Sequence, residues 1–212
     1  MSLASRGITG ARVACAVWAS AILTGLAILT AYENAPGDQG EPPALWPEAT
    51  SLHRTQGVMT LLMVAHPICP CTRASLGELA RIVARAGGRL HAYVLFVSPE
   101  GADSTWSRGD LWNEAAAIPG VSVVEDHDGM EADRFGVAVS GHVLLYDARG
   151  RLSFSGGITP ARGHSGDSTG RAAVLALLEG RSPSHSRSFV FGCSLLGAAD
   201  RAHGGRAHCN HS

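Results

Sequence analysis

The stretch VMTLLMVAHPICPCTRASLGELARIVARAG (58–87) decides how the rest of the chain is read. It opens on an uninterrupted apolar run, VMTLLMVA (58–65), of strand length, as expected for a strand buried on both faces. HPICPCT follows. In RASLGELARIVARAG the residues Leu76, Leu79, Ile82 and Val83 recur at helical spacing, and Gly87–Gly88 stop the helix. Cys69-Pro70-Cys71 therefore falls where a buried strand ends and a helix begins.

Working towards the carboxyl terminus, RLHAYVLFVS (89–98) predicts a second strand and WSRGDLWNEAAAI (106–118) a helix ending before Pro119. VSVVED (121–126) is a short third strand, and HDGMEADRFGV a turn with a short helix. HVLLYD (142–147), a turn at ARGR and LSFSGG (152–157) read as a β-hairpin, and STGRAAVLALLEG (168–180) as a closing helix. The order β-α-β-α-β-α-β-β-α predicts an α/β fold: a largely parallel sheet covered by helices on both faces, its antiparallel edge supplied by the hairpin. The domain is expected over 56–182. Residues 183–212, rich in Arg, Ser, His and Gly, are expected to form a mobile tail.

Towards the amino terminus, ENAPGDQGEPPALWPEA suits an extended tether over 33–55, with Trp46 able to dock on the domain. Before it, VACAVWASAILTGLAILTAY (13–32) carries no charge and is about the length of a bilayer-crossing helix. Trp18 and Tyr32 stand near its ends, where amphipathic rings suit the interface. Arg6 and Arg12 precede it, which predicts a cytoplasmic segment 1–12, a single-pass anchor in the inner membrane and an extracytoplasmic (periplasmic) domain. A cleaved signal peptide is the rival. The run is long for one, and no small-x-small site follows it. Cys15 lies inside the run and reads as a small apolar residue.

Composition removes several classes. Of 212 residues 45% are apolar and 17% charged, so the chain is not intrinsically disordered. A net charge of −1 argues against general nucleic-acid binding. All 17 basic residues are Arg, which excludes Schiff-base chemistry, a P-loop lysine and a lysine base. Five Cys are too few for a disulfide-built scaffold, so their placement matters more than their number.

The placement of Cys69 and Cys71 is chemical. A helix amino terminus presents unpaired N–H groups and the positive end of a dipole, and both favour thiolate over thiol. Arg73 is near enough in sequence to add to this, and His66 to assist or to shape the turn. A disulfide across one intervening residue closes a small strained ring and is expected to be a labile oxidant. The motif fits thiol or metal chemistry alike. GGITPARGHSGDSTG (156–170) is either a plain connection capped by Asp167 or Ser168, or a loop that brings Arg162 and His164 over the Cys turn. His142, at a strand start, reads first as a satisfied core histidine and second as a ligand. The apolar residues of FVFGCSLL suggest that this short segment docks on the domain, and its Cys193 reads as a buried free thiol or as a third redox thiol pairing with Cys69 or Cys71. His203, His208, Cys209 and His211 give the tail metal-ligand chemistry without an ordered site.

The segment HPICPCTRAS resembles the active-site entry of thioredoxin-like proteins. EDHDGMEADRFGVAVSGHVLLYDARGRL resembles the corresponding run of the membrane-anchored TlpA/ResA and peroxiredoxin-related branch. Together with GGITPARGHSGDSTG and the late FGC, the chain is most similar to anchored proteins labelled RedB, over roughly residues 30–195. The resemblance implies a thioredoxin-like fold behind one transmembrane helix. It also implies thiol–disulfide exchange with protein thiols or disulfides and no cofactor. Cys69 would be the attacking, more exposed thiolate and Cys71 its partner. Two departures stand out. Thr72 occupies the place of the resolving Cys of Cys-x-x-Cys, and Gly141 replaces the usual cis-Pro, which leaves room there for a ligand, a metal or another chain. Copper-delivery proteins of related fold suggest a second function, with Cys69, Cys71 and either His142 or His164 holding Cu(I). A non-catalytic interaction module is a third. The Pro-x-x-x-Thr-x-x-Cys arrangement of peroxidases does not occur.

Overall fold

The computed structural model describes residues 3–99, 101, 102 and 105–195. They form two compact units divided between Ala35 and Pro36. The first unit is one helix, α1 (Leu3–Glu33). Its segment Gly10–Glu33 has a mean hydropathy of 2.0 and is long and apolar enough to cross a membrane.

The second unit holds β1 (Met59–Ala65), α2 (Pro70–Ala86), β2 (Leu90–Ser98), α3 (Asp110–Ala116), β3 (Val121–His127), α4 (Met130–Arg134), β4 (His142–Tyr146), β5 (Leu152–Gly157) and α5 (Thr169–Leu178). The strands lie in the order β3-β2-β1-β4-β5. β1, β2 and β3 are parallel, and the β4–β5 hairpin joins antiparallel through β4. β1 is central, and Leu61 to Ala65 are completely buried on it, which accounts for its unbroken apolar run. Leu61 and Met63 face Leu76 and Leu79 of α2 and Val174 of α5. Leu62 and Val64 face the other way, towards Phe135, Tyr146 and Leu52. Each such side chain contributes about 1.5–3 kcal/mol of burial.

α3 is shorter than the helix expected over 106–118, because Gly109 is extended and forms its N-cap. Ser168 caps α5, its Oγ accepting from the Arg171 N–H at 3.2 Å. Glu78 of α2 is fully buried and ties three elements together. Its carboxylate accepts from Arg81 at 2.5 Å, from the Gly166 N–H at 2.8 Å and from Arg171 of α5.

Two segments differ from expectation. The stretch read as an extended tether is laid on the domain from Pro36 onward. Trp46 packs edge-on against Phe135 and Tyr146, with ring centroids 4.9 and 5.2 Å away. The Trp46 N–H donates to the Gly150 carbonyl and the Leu152 N–H to that of Ala44, both at 2.8 Å. Thr50 and Ser51 donate to the Glu131 carboxylate. The aromatic and the loop donors supply the docking energy that the Pro- and Gly-rich composition hid.

The segment after α5, expected to be mobile, is pinned at least as far as Leu195. Ser155 and Arg187 form a parallel bridge, and Val139 and Ser194 an antiparallel one. Val190 is buried. This strap covers the outer edge of β5, whose unpaired backbone groups would otherwise face outward. Gly157 permits the approach, since a Cβ there would lie 2.6 Å from the Phe189 carbonyl oxygen. His203, His208, Cys209 and His211 lie outside the described residues.

Candidate functional site

Cys69 is the N-cap of α2 and Pro70 its first-turn proline, a position that needs no N–H. The turn between β1 and α2 is fixed from inside by Thr72, which is completely buried. Its Oγ1 donates to the His66 carbonyl at 2.9 Å, and the His66 N–H donates to Thr72 Oγ1 at 3.2 Å and to Ser140 Oγ at 3.1 Å. The Thr72 and Ser140 hydroxyls share a hydrogen bond of 2.9 Å. Thr72, in the place of a second redox cysteine, thus clamps the thiol turn to the residue before Gly141.

The strap delivers a third sulfur to this turn. The Ser140 N–H donates to the Cys193 carbonyl at 2.9 Å, and the Leu195 N–H to that of Ala138 at 3.0 Å. The extended pairing sets Cys193 Sγ 3.5 Å from Cys69 Sγ. The sulfurs of Cys69, Cys71 and Cys193 all lie within 4.8 Å of one another. Cys69 and Cys71 are buried, at 4% and 7% exposure, and Cys193 is the exposed member. The expectation of an exposed Cys69 is corrected here, because the strap lies over it. Gly192 makes the close approach possible: a Cβ there would fall 1.8 Å from the Ser140 carbonyl oxygen.

The three thiols share protons unequally. Hydrogen bonds with the Cys193 and Cys71 thiols hold Cys69 below the ordinary thiol range, against the effect of burial, and the N–H groups of Cys71 and Thr72 add to this. Cys71 is pushed up by its hydrogen bonds with Cys193 and Cys69 and by burial. Cys193 is also pushed up, chiefly by its hydrogen bond with Cys69, while the Arg162 guanidinium pulls the other way. The arrangement favours the thiolate at Cys69 and the thiol at Cys71 and Cys193.

The other sequence candidates fall into two groups. Arg162 reaches the cluster through the strap, its guanidinium donating to the Gly192 carbonyl oxygen. His66 borders the turn, its ring edge-on to Trp106 at 6.3 Å. Arg73 points elsewhere and pairs with Glu114 at 3.0 Å on the outer side of α2. His164 is exposed and turns its Nδ1 to the Arg162 carbonyl at 2.7 Å. His142 is fully buried, with Nε2 2.9 Å from Ser155 Oγ. Burial and then Arg187 lower its pKa to about 4. Neither histidine belongs to the group of ligating atoms, which among the described residues is the three cysteines alone. Gly141 has φ +81°, and a Cβ there would meet Ser75 Oγ at 2.9 Å. The room expected at Gly141 is thus bounded by Ser75, and the neighbouring Ser140 is taken by this chain's own strap. Ser140 and Gly192 were missed by the sequence reading. The Gly-Cys pair of FVFGCSLL was the available signal for the latter, and Ser140 offered none.

No family model and no curated protein matches the sequence. Solved structures do. A hypothetical protein from Sinorhizobium meliloti 1021 is similar at 21% identity with a TM-score of 0.54, over 76% of this chain and 93% of its own. An uncharacterised conserved protein from Geobacillus kaustophilus gives 20% and 0.54, over 77% and 93%. The pneumococcal exposed lipoprotein thioredoxin Etrx1 from Streptococcus pneumoniae strain TIGR4 gives 18% and 0.44, over 59% and 86%. The core β1-α2-β2 followed by β4-β5-α5, with strand order β2-β1-β4-β5, decides the architecture. The fold is thioredoxin-like. Between β2 and β4 the chain runs through α3, β3 and α4, which supply the outer parallel strand and the crossover to the hairpin, and the thiols sit at the head of α2.

Proposed function

We propose that this chain is a membrane-anchored, extracytoplasmic thiol–disulfide oxidoreductase, with Cys69 and Cys193 as the exchanging pair and Cys71 as the thiol that stabilises Cys69. The 3.5 Å contact between Cys69 and Cys193 sulfurs carries the reading. A Cys69–Cys71 bond would close a strained small ring, whereas Cys193 arrives on a separate segment free of that constraint. The anchor is supported by the apolar length of α1, and the orientation by Arg6 and Arg12 ahead of it. Within the thioredoxin-like class, HPICPCTRAS and the late FGC favour the RedB-labelled branch.

In the oxidised protein, a partner thiolate attacks the Cys193 sulfur, the exposed end of the Cys69–Cys193 bond. That bond breaks and Cys69 leaves as a thiolate, the form favoured at the helix amino terminus; low leaving-group pKa speeds this step. A second partner thiolate then attacks its own sulfur in the mixed disulfide. Cys193 is released and takes up a proton, and the partner holds the new disulfide. Two electrons pass from the partner dithiol to this protein. Stabilising the reduced form through Cys69 makes the protein disulfide oxidising.

The test is oxidation of a dithiol peptide by the full-length protein in detergent, with glutathione disulfide as the terminal oxidant. Cys69→Ser and Cys193→Ser each abolish turnover, whereas Cys71→Ser retains part of it with a slower rate. Full activity in Cys69→Ser would refute the assignment.

A further inference from the structure

We propose that the fully reduced protein binds one Cu(I) ion at a three-sulfur site formed by Cys69, Cys71 and Cys193. The inference goes beyond the redox reading, because it concerns the state in which no disulfide exists. Metal–sulfur bonds of about 2.3 Å set three sulfurs around a trigonal ion about 4 Å apart. The observed triangle has one edge of 3.5 Å and none above 4.8 Å, so small rotations of the thiols close it on an ion. Three thiolates make a soft donor set, which selects Cu(I) or zinc over harder cations.

The number of ligands favours Cu(I). Three thiolates complete a trigonal Cu(I) site, whereas zinc held by three protein ligands needs a water or substrate in a fourth position. Among the described residues the group contains no fourth His, Cys, Asp or Glu. His142 is committed to Ser155 inside the sheet and His164 faces solvent, so the earlier pairing of two cysteines with a histidine gives way to three cysteines. Thr72 and Ser140 fix the turn that carries the two helix-head thiols, and the strap fixes the third through the Ser140 N–H, so the site is held before the ion arrives. Two thiolates in excess of the ion's charge remain, and the Arg162 guanidinium on the Gly192 carbonyl offsets one of them. On binding, each protonated thiol releases its proton to the buffer, and copper does not change oxidation state.

The experiment is anaerobic titration of the full-length protein in detergent, reduced with a phosphine, with Cu(I) in competition with bicinchoninate. One Cu(I) per chain should resist the chelator, and X-ray absorption should show three sulfur neighbours. Cys193→Ser, at an exposed position, should keep the circular dichroism of the parent, weaken binding by more than about tenfold and leave two sulfurs. Failure to retain copper overturns the proposal. So does unchanged stoichiometry and sulfur count in Cys193→Ser, which would show that Cys193 is not a ligand. Displacement of Cu(I) by equimolar zinc overturns the choice of metal. A protein that shows no dithiol–disulfide transition yet binds copper sinks the redox reading alone, and the converse result sinks only this one.

Discussion

Cys69 and His142 show how position sets the charge of a single residue. Cys69 meets two thiols and the open amino end of a helix, and all of these stabilise its anion. His142 bonds Ser155 in the sheet interior, and burial and then the Arg187 charge favour its neutral ring. The stability consequence of His142 has a definite sign. Its folded pKa of about 4 lies below the usual 6.5, so above pH 6.5 both states are neutral and no penalty exists. As pH falls from 6.5 towards 4 the unfolded chain takes up the proton first, and about 3 kcal/mol of stability is lost by pH 4. Urea unfolding at pH 7 and pH 4.5 should therefore show a smaller difference for His142→Asn than for the parent. Equal differences in the two proteins would show that His142 is not buried neutral.

At the scale of elements, the strap carries the third thiol, and one backbone contact decides its seat. Gly192→Ala puts a methyl group against the Ser140 carbonyl, where a Cβ has 1.8 Å. The strap should lift, and Cys193 should no longer pair with Cys69 on oxidation. Non-reducing peptide mapping of the variant should find no such bond, while the parent forms it; a bond of equal yield would mean that the seat is not fixed there. The strap also marks where sequence reading stopped. The run 58–65, the helix after it and the hairpin were legible because burial imposes a period or a run on each of them. The strap has neither, and only the apolar residues of FVFGCSLL pointed to its docking. Its order comes from backbone hydrogen bonds to β5 and to residues 138–140, which any residue can make, and from the close approaches that Gly157 and Gly192 permit. The 36–55 stretch was missed for the same reason: it is held by Trp46 and by single loop donors. At the site, Cys69, Cys71 and Cys193 were legible as chemistry and their pairing as one of two readings; the backbone path that brings Cys193 to the turn was not. Arg73 was misplaced because closeness in sequence does not fix direction, and on α2 it faces Glu114.

Over the whole molecule, a buried central strand, two thiols at its exit and a third on the returning chain form one device. The sheet supplies rigidity, since Leu61 to Ala65 are shut off from water and Glu78 ties α2 to α5 at its far side. That rigidity holds the helix-head thiols while the strap presents Cys193 outward. The central claim is that Cys69 and Cys193 exchange electrons as a pair. The most direct measurement equilibrates the full-length protein anaerobically across a series of glutathione redox buffers, alkylates it and maps every cysteine by mass. A reversible two-electron transition should link Cys69 and Cys193 while Cys71 remains alkylatable. Cys69 and Cys193 alkylated at every potential, or a bond confined to Cys69 and Cys71, would contradict it.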